Sequence, residues 1–300
     1  MEYEKFINTV REKIQERLGG ECIVEIKETL KNNSSRFIGI HIRKSGNTAA
    51  PLIYLEQQYR EYLEGETFEN IIQKIIKVYE NAVGKELLLD EESITFEKCQ
   101  KQIFYKLISQ KENEELLWEV PYIPFLDLAI VFAILFKQDE DGVESMRINH
   151  EIKKHWGISV KELLTCASRN TREIFPPRLI KLEDLILDNF SKRETLQYDE
   201  ISIDMPSFLV LTNRTGINGA TTILYPGELK EIARKAGGDL YILPSSIHEV
   251  LIVPCSKDYN LQELSKLVQN VNRTQVSQEE ILSNFAYRYH YETDSFEMDE

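Results

Sequence analysis

Three hundred residues with 42% hydrophobic side chains can bury one large core or two modest ones, which excludes a disordered chain. Fifty Asp and Glu against 36 Lys and Arg leave a net charge of -14, which argues against direct nucleic-acid binding, because a phosphate backbone needs clustered cations. An acidic surface suits instead a basic protein partner or, in the extreme, mimicry of nucleic acid, although here acids and bases alternate along most helices.

In chain order, Met1 to Leu18 spaces Phe6, Ile7, Val10, Ile14 and Leu18 as a helix and reads as a first helix, not a signal peptide. Cys22 to Leu30 and Phe37 to Ile42 read as a hairpin. Pro51 opens a helix to about Glu64, and Thr67 caps another with Phe68, Ile71, Ile72, Ile75, Ile76 and Tyr79 on one face. Composition turns polar over Glu91 to Glu97, which places a boundary between a unit at 1–90 and a larger one at 91–300.

Beyond it, Gln102 to Ile108 reads as a strand, and the polar run Ser109 to Glu115 as a loop or short helical turn. Leu126 to Phe136 and Val143 to Ile148 flank an Asp141-Gly142 turn and favour a hairpin, with helix left open for the longer run. That run is too short to cross a bilayer. His150 to Trp156 and Val160 to Arg169 are helices broken at Gly157, with Ser159 as cap and Asn170, Thr171 and Arg172 as the C-terminal cap and its flank. Pro176-Pro177 ends that unit, Leu182 to Leu187 is a short amphipathic piece, and Asp188 to Pro206 a polar connection.

From Phe208 to Pro254 the order is strand, strand, helix, strand, strand. Phe208 to Leu211 and Thr221 to Leu224 flank a turn-rich loop, Pro226 opens the helix that Gly237-Gly238 ends, and Asp239 to Leu243 and Glu249 to Val253 follow. Leu261 to Val271 is a helix, and Ser277 caps a last short one. Phe285, Tyr287, Tyr289 and Tyr291 alternate as the inner face of a half-buried final strand. The fold expected is α+β, mainly an antiparallel sheet with packed helices, preceded by a smaller helix-hairpin-helix-helix unit.

Several chemistries lack their residues. Cys22, Cys99, Cys166 and Cys255 are isolated, which fits reduced thiols in cytoplasm better than a disulfide framework or zinc site. His248-Glu249 begins like H-E-x-x-H, but position 252 is Ile. His150 and His155 would diverge by about 140° on a helix. Phosphate-binding glycine loops and G-x-S-x-G do not occur, and no cofactor or metal is expected.

The candidate site residues are Ser245, Ser246, His248 and Glu249 on one turn, with Asn213, Arg214 and Asn218 in the preceding loop and Tyr225 beyond it. A serine could serve as nucleophile with His248 as base. Glu249 is badly placed to orient that imidazole, because adjacent strand residues point to opposite faces. Serines in such a turn more commonly bond the local backbone. If both loops lie at one end of a sheet, they form a polar pocket. Trp118, Trp156 and the tyrosine stripe read as core or interface aromatics.

Val120-Pro121, Phe125 to Val131, Asn170-Thr171, Leu211-Thr212-Asn213, Ile223 to Gly227 and the unbroken run Gly237 to Val250 carry a resemblance. On these residues the chain resembles an uncharacterised bacterial family of gut clostridia, domain of unknown function 5688, from about Tyr54 onward. From Gln102 it is more distantly similar to a second uncharacterised family, from bacilli. The second likeness implies an α+β fold with mainly antiparallel pairing, and neither brings a catalytic residue. Function is expected to be that of a cytoplasmic interaction or regulatory module, with the aromatic final strand as a possible interface. The alternatives are a small-molecule-binding protein or hydrolase using the Ser245 to Glu249 turn, and an acidic nucleic-acid mimic.

Overall fold

The structure is a computed structural model that describes residues 1–44, 52–83, 94–139, 142–184 and 208–298. It is an α+β fold with antiparallel sheets, and the chain divides into two compact units, Met1–Lys98 and Cys99–Glu300.

In the first unit, α1 (Tyr3–Leu18) precedes a three-stranded sheet in the order β1 (Cys22–Leu30), β2 (Arg36–Lys44), β3 (Leu52–Tyr54); α2 (Glu56–Leu63) and α3 (Phe68–Val83) follow. The apolar stripes of α1 and α3 meet the inner sheet face, burying Phe6, Val10, Ile14, Ile40, Ile42 and Ile71. Residues 52–54, expected as helix, form β3 instead and pair with Gly39 to His41. Gly39 makes this possible: a Cβ there would lie 2.7 Å from Leu52 Cδ1. The helix begins at Glu56, whose carboxylate accepts hydrogen bonds from Ile38 N at 2.7 Å and the Tyr3 hydroxyl at 3.2 Å.

The second unit contains two antiparallel sheets. In the first, β6 (Leu128–Asp139) is central; β4 (Ile103–Ser109) pairs along one edge, β5 (Tyr122–Phe125) and β7 (Gly142–Arg147) along the other. Leu128 to Ile134 are all buried, which explains a continuous apolar run in a strand and settles the ambiguity that periodicity left. Helix α4 (Phe96–Cys99) precedes β4, and α5 (Glu114–Leu117) turns the corner between β4 and β5. Helices α6 (His150–Trp156) and α7 (Val160–Ile174) follow, α7 opened by a capping box between Ser159 and Glu162.

Asn170, Thr171 and Arg172 are not a cap, because α7 continues to Ile174. Asn170 Nδ2 donates to the Gln100 and Ile103 carbonyls at 2.7 and 2.9 Å, and Thr171 Oγ1 accepts from Tyr105 N at 3.1 Å. Both side chains stitch the helix to β4.

The second sheet has six strands: β8 (Pro177–Lys181), β9 (Leu209–Asn213), β10 (Leu240–Leu243), β11 (Val250–Pro254), β12 (Tyr287–His290) and β13 (Ser295–Met298), in the order β13-β12-β10-β11-β9-β8. Pro177 starts the edge strand β8, a position proline tolerates, so the Pro-Pro pair begins a strand as well as ending a helix. Helix α8 (Glu228–Ala236) lies between β9 and β10 in sequence and ends at Gly237 with φ 82°. Helix α9 (Leu261–Thr274) packs Leu264 and Val268 against Tyr241, Leu243 and Val253.

Thr221 to Leu224, expected as the second strand of a hairpin with β9, is part of a 3-10 helix spanning Gly219–Leu224. Thr221 and Thr222 donate their hydroxyls to the Asn218 and Gly219 carbonyls at 2.8 and 2.7 Å, so local bonding replaces a ladder. The amphipathic piece expected from Leu182 is described only to residue 184. The connection at 188–206 and part of the boundary at 91–97 lie outside the described residues.

Candidate functional site

The two loops singled out by sequence meet at one end of the six-stranded sheet, as an interlocked backbone. Thr212 Oγ1 donates to the His248 carbonyl at 2.7 Å, and Ala220 N donates to the Ile247 carbonyl at 3.2 Å. Asn218, at φ 53°, donates its N–H to His248 Nδ1 at 3.3 Å. That bond makes Nδ1 an acceptor and leaves Nε2 to carry the proton of the neutral ring, 3.4 Å from Glu280 Oε1. Ser246, buried, accepts from His248 N at 3.0 Å and forms a bridge with Ile281. Its hydroxyl meets the His248 backbone, and both ring nitrogens face other groups.

The remaining residues of this cluster separate. Asn213 is buried; its amide donates to the Ile217 carbonyl and its oxygen accepts from Thr215 N and Oγ1, closing its own loop. Arg214 is exposed, and its N–H continues pairing to Pro176. Ser245 lines a small apolar cavity of about 180 Å³ with Phe208, Leu243, Leu251 and Val268. Glu249 is half-buried just ahead of β11. Tyr225 stands in the core, donating to the Phe175 and Thr171 carbonyls at 2.9 and 3.3 Å, with burial pushing its phenol up to about 12.

A second site lies at the corner between β4 and β6. Gln110, Lys111, Glu114, Leu117 and Trp118, with Tyr122 and Asp127, line an open hollow of about 570 Å³. Leu116, Leu117 and Val120 are buried and anchor this corner, as does Asn113, whose amide donates to the Ser109 carbonyl at 2.8 Å. Trp118 lies about 200° of helical arc from Leu116, so the same packing turns it outward. Its side chain is 85% exposed. Trp118 was expected as a core or interface aromatic, and its exposure excludes the core reading.

Asp127 is set by the two-residue turn between β5 and β6, in which Leu126 adopts φ 52°, an uncommon backbone conformation for a bulky residue. Ser283 Oγ donates to Asp127 Oδ2 at 2.7 Å, and the Tyr287 hydroxyl donates to Oδ1. Burial, then the Asp127 charge, push the Tyr287 phenol well above its ordinary value, so it is a donor throughout the working pH range. The carboxylate is therefore held in a fixed direction beside an exposed indole.

The tyrosine stripe does not form an outer face. β12 lies between β10 and β13; Tyr287 and Tyr289 are fully buried and offer no surface to a partner, while Tyr291 is half-buried. Among the described residues, no group of three or more His, Cys, Asp and Glu is arranged to hold a metal ion. No described helix is long and apolar enough to cross a membrane.

Fold and hollow together define an α+β protein with an anchored corner that carries an exposed indole and two carboxylates. The chain belongs to a family of unknown function (DUF5688), whose model matches residues 3–291. Comparison with curated proteins and with solved structures returns no match.

Proposed function

We propose that this chain is an interaction module that captures a protein partner at the Trp118 hollow. The observation that carries the proposal is the 85% exposure of Trp118 on a corner fixed by buried Leu116, Leu117 and Val120. Tryptophan is the residue most enriched at energetic centres of protein interfaces, and a rigid support lowers the cost of ordering it on binding. A cytoplasmic setting is supported by four cysteines that stand as separate thiols.

The hydrolase alternative has less support. Ser246 Oγ meets the His248 backbone N–H, while Asn218 N and Glu280 face the two ring nitrogens. Mimicry of nucleic acid is weighed down by cations interleaved with the acids, as where Lys74 meets Glu61 and Glu66 at 2.8 and 3.1 Å.

Photo-cross-linking in the native host tests the proposal, with p-benzoylphenylalanine replacing Trp118 in one chain and Leu179, 41% exposed, in a control. A discrete protein adduct at position 118 that is missing at position 179 is expected. Equal adducts at both positions, or none at 118, would overturn the proposal.

A further inference from the structure

The hollow has a charge pattern that specifies its partner, an inference that rests on the docking proposal. Glu112, Glu114, Glu115 and Glu119 are exposed within the short segment that holds Trp118, against a single lysine, Lys111. Glu114 and Asp127 line the hollow beside Trp118 and Tyr122. A carboxylate offers about four lone-pair sites. Ser283 and Tyr287 occupy two on Asp127, which leaves acceptor capacity on a group already aimed. An indole face is also the best aromatic platform for an ammonium or guanidinium.

We propose that the partner presents an extended basic segment. One Arg or Lys head lies over the Trp118 ring beside Glu114 and donates to Asp127, while the surrounding glutamates steer its approach. A second copy of this chain fits poorly, since each carries a net charge of -14 and would bring the same acidic rim. A neutral sugar could use the indole and carboxylates but gains nothing from the excess charge.

The test uses the full chain with Trp156→Phe, which leaves Trp118 as its sole tryptophan. It is titrated with a blocked alternating Gly/Arg peptide, with the Gly/Glu counterpart and with maltose, following Trp118 emission at low and physiological salt. The Arg peptide is expected to shift emission saturably, with affinity falling about tenfold as salt rises and again in Glu114→Lys, because these contacts are exposed to screening. Binding of the Gly/Glu peptide or maltose in its place, salt-independent binding, or no response to the Arg peptide would overturn the inference. If position 118 still cross-links a protein while the Arg peptide gives no response, the basic segment falls and docking stands. Failure of both removes both.

Discussion

The Asp127 carboxylate accepts a hydrogen bond from the Tyr287 phenol 160 positions further along the chain. The pair ties the β5–β6 turn to the interior of the six-stranded sheet, so one wall of the hollow is braced by a residue from β12. Ser283 adds a second brace on the other oxygen.

Removing one brace tests this link. Tyr287→Phe keeps the ring and deletes the donor to a carboxylate, which is expected to cost about 1.5–3 kcal/mol. It should also weaken Arg-peptide binding, because Asp127 loses its fixed direction. Urea unfolding and Trp118 titration of the same sample measure both effects.

Trp118→Ala separates recognition from stability. An 85% exposed side chain contributes little to the core, so unfolding free energy should move by less than about 0.5 kcal/mol while partner capture is lost. Tyr289→Ala, at 1% exposure, should cost about 3–5 kcal/mol. Thermal unfolding, with co-purification of the captured protein by each variant in parallel, distinguishes them.

Two core tyrosines should respond oppositely to loss of the hydroxyl. Tyr105 is buried and its hydroxyl has no partner among the described residues, so Tyr105→Phe should be neutral or stabilising by up to about 1 kcal/mol. Tyr225 donates to two carbonyls, and Tyr225→Phe should cost about 1 kcal/mol. Their rings stack edge to face, 6.4 Å apart, and both variants keep that contact.

The interlocked loops depend on Gly219. An added Cβ would overlap Thr212 Oγ1 and the His248 carbonyl oxygen, so Gly219→Ala should cost about 2–3 kcal/mol by overpacking. Gly216 has φ 68° and open space around it, so Gly216→Ala should cost only about 1 kcal/mol through its backbone. Denaturation midpoints of the two variants compare steric with conformational cost.

Acid should loosen the attachment of β12 to the start of β10. Tyr291 N–H, then the His290 and Arg288 side chains, hold the Asp239 carboxyl below its ordinary range. A depressed folded pKa adds stability that is complete above the unfolded Asp value of about 3.9 and is lost as pH falls through the folded value. Stability should therefore drop below about pH 4, with a shallower slope in Asp239→Asn. Urea midpoints between neutral and acid pH provide the comparison.

Periodicity made most helices and strands legible, including the first hairpin, α3 and the paired strands β10 and β11. It failed where local chemistry or distant partners decide. The β-branched run at Thr221 folds as 3-10 helix because its hydroxyls find the preceding turn. Pro177 signals an ending, yet the edge of a sheet accepts it. The offset of Trp118 from Leu116 and Leu117 was present in the sequence and points outward once those two are taken as core. Asp127 carried no such signal, since its setting depends on Ser283 and Tyr287, more than 150 positions away. The Asn218 and His248 loops were individually visible, but only strand order brings them together.

The most direct measurement is acrylamide quenching of Trp118 fluorescence in the Trp156→Phe chain, free and then saturated with the protein captured at position 118. The docking proposal predicts ready quenching in the free chain and strong protection in the complex. Quenching that is already weak in the free chain, or unchanged in the complex, would contradict it.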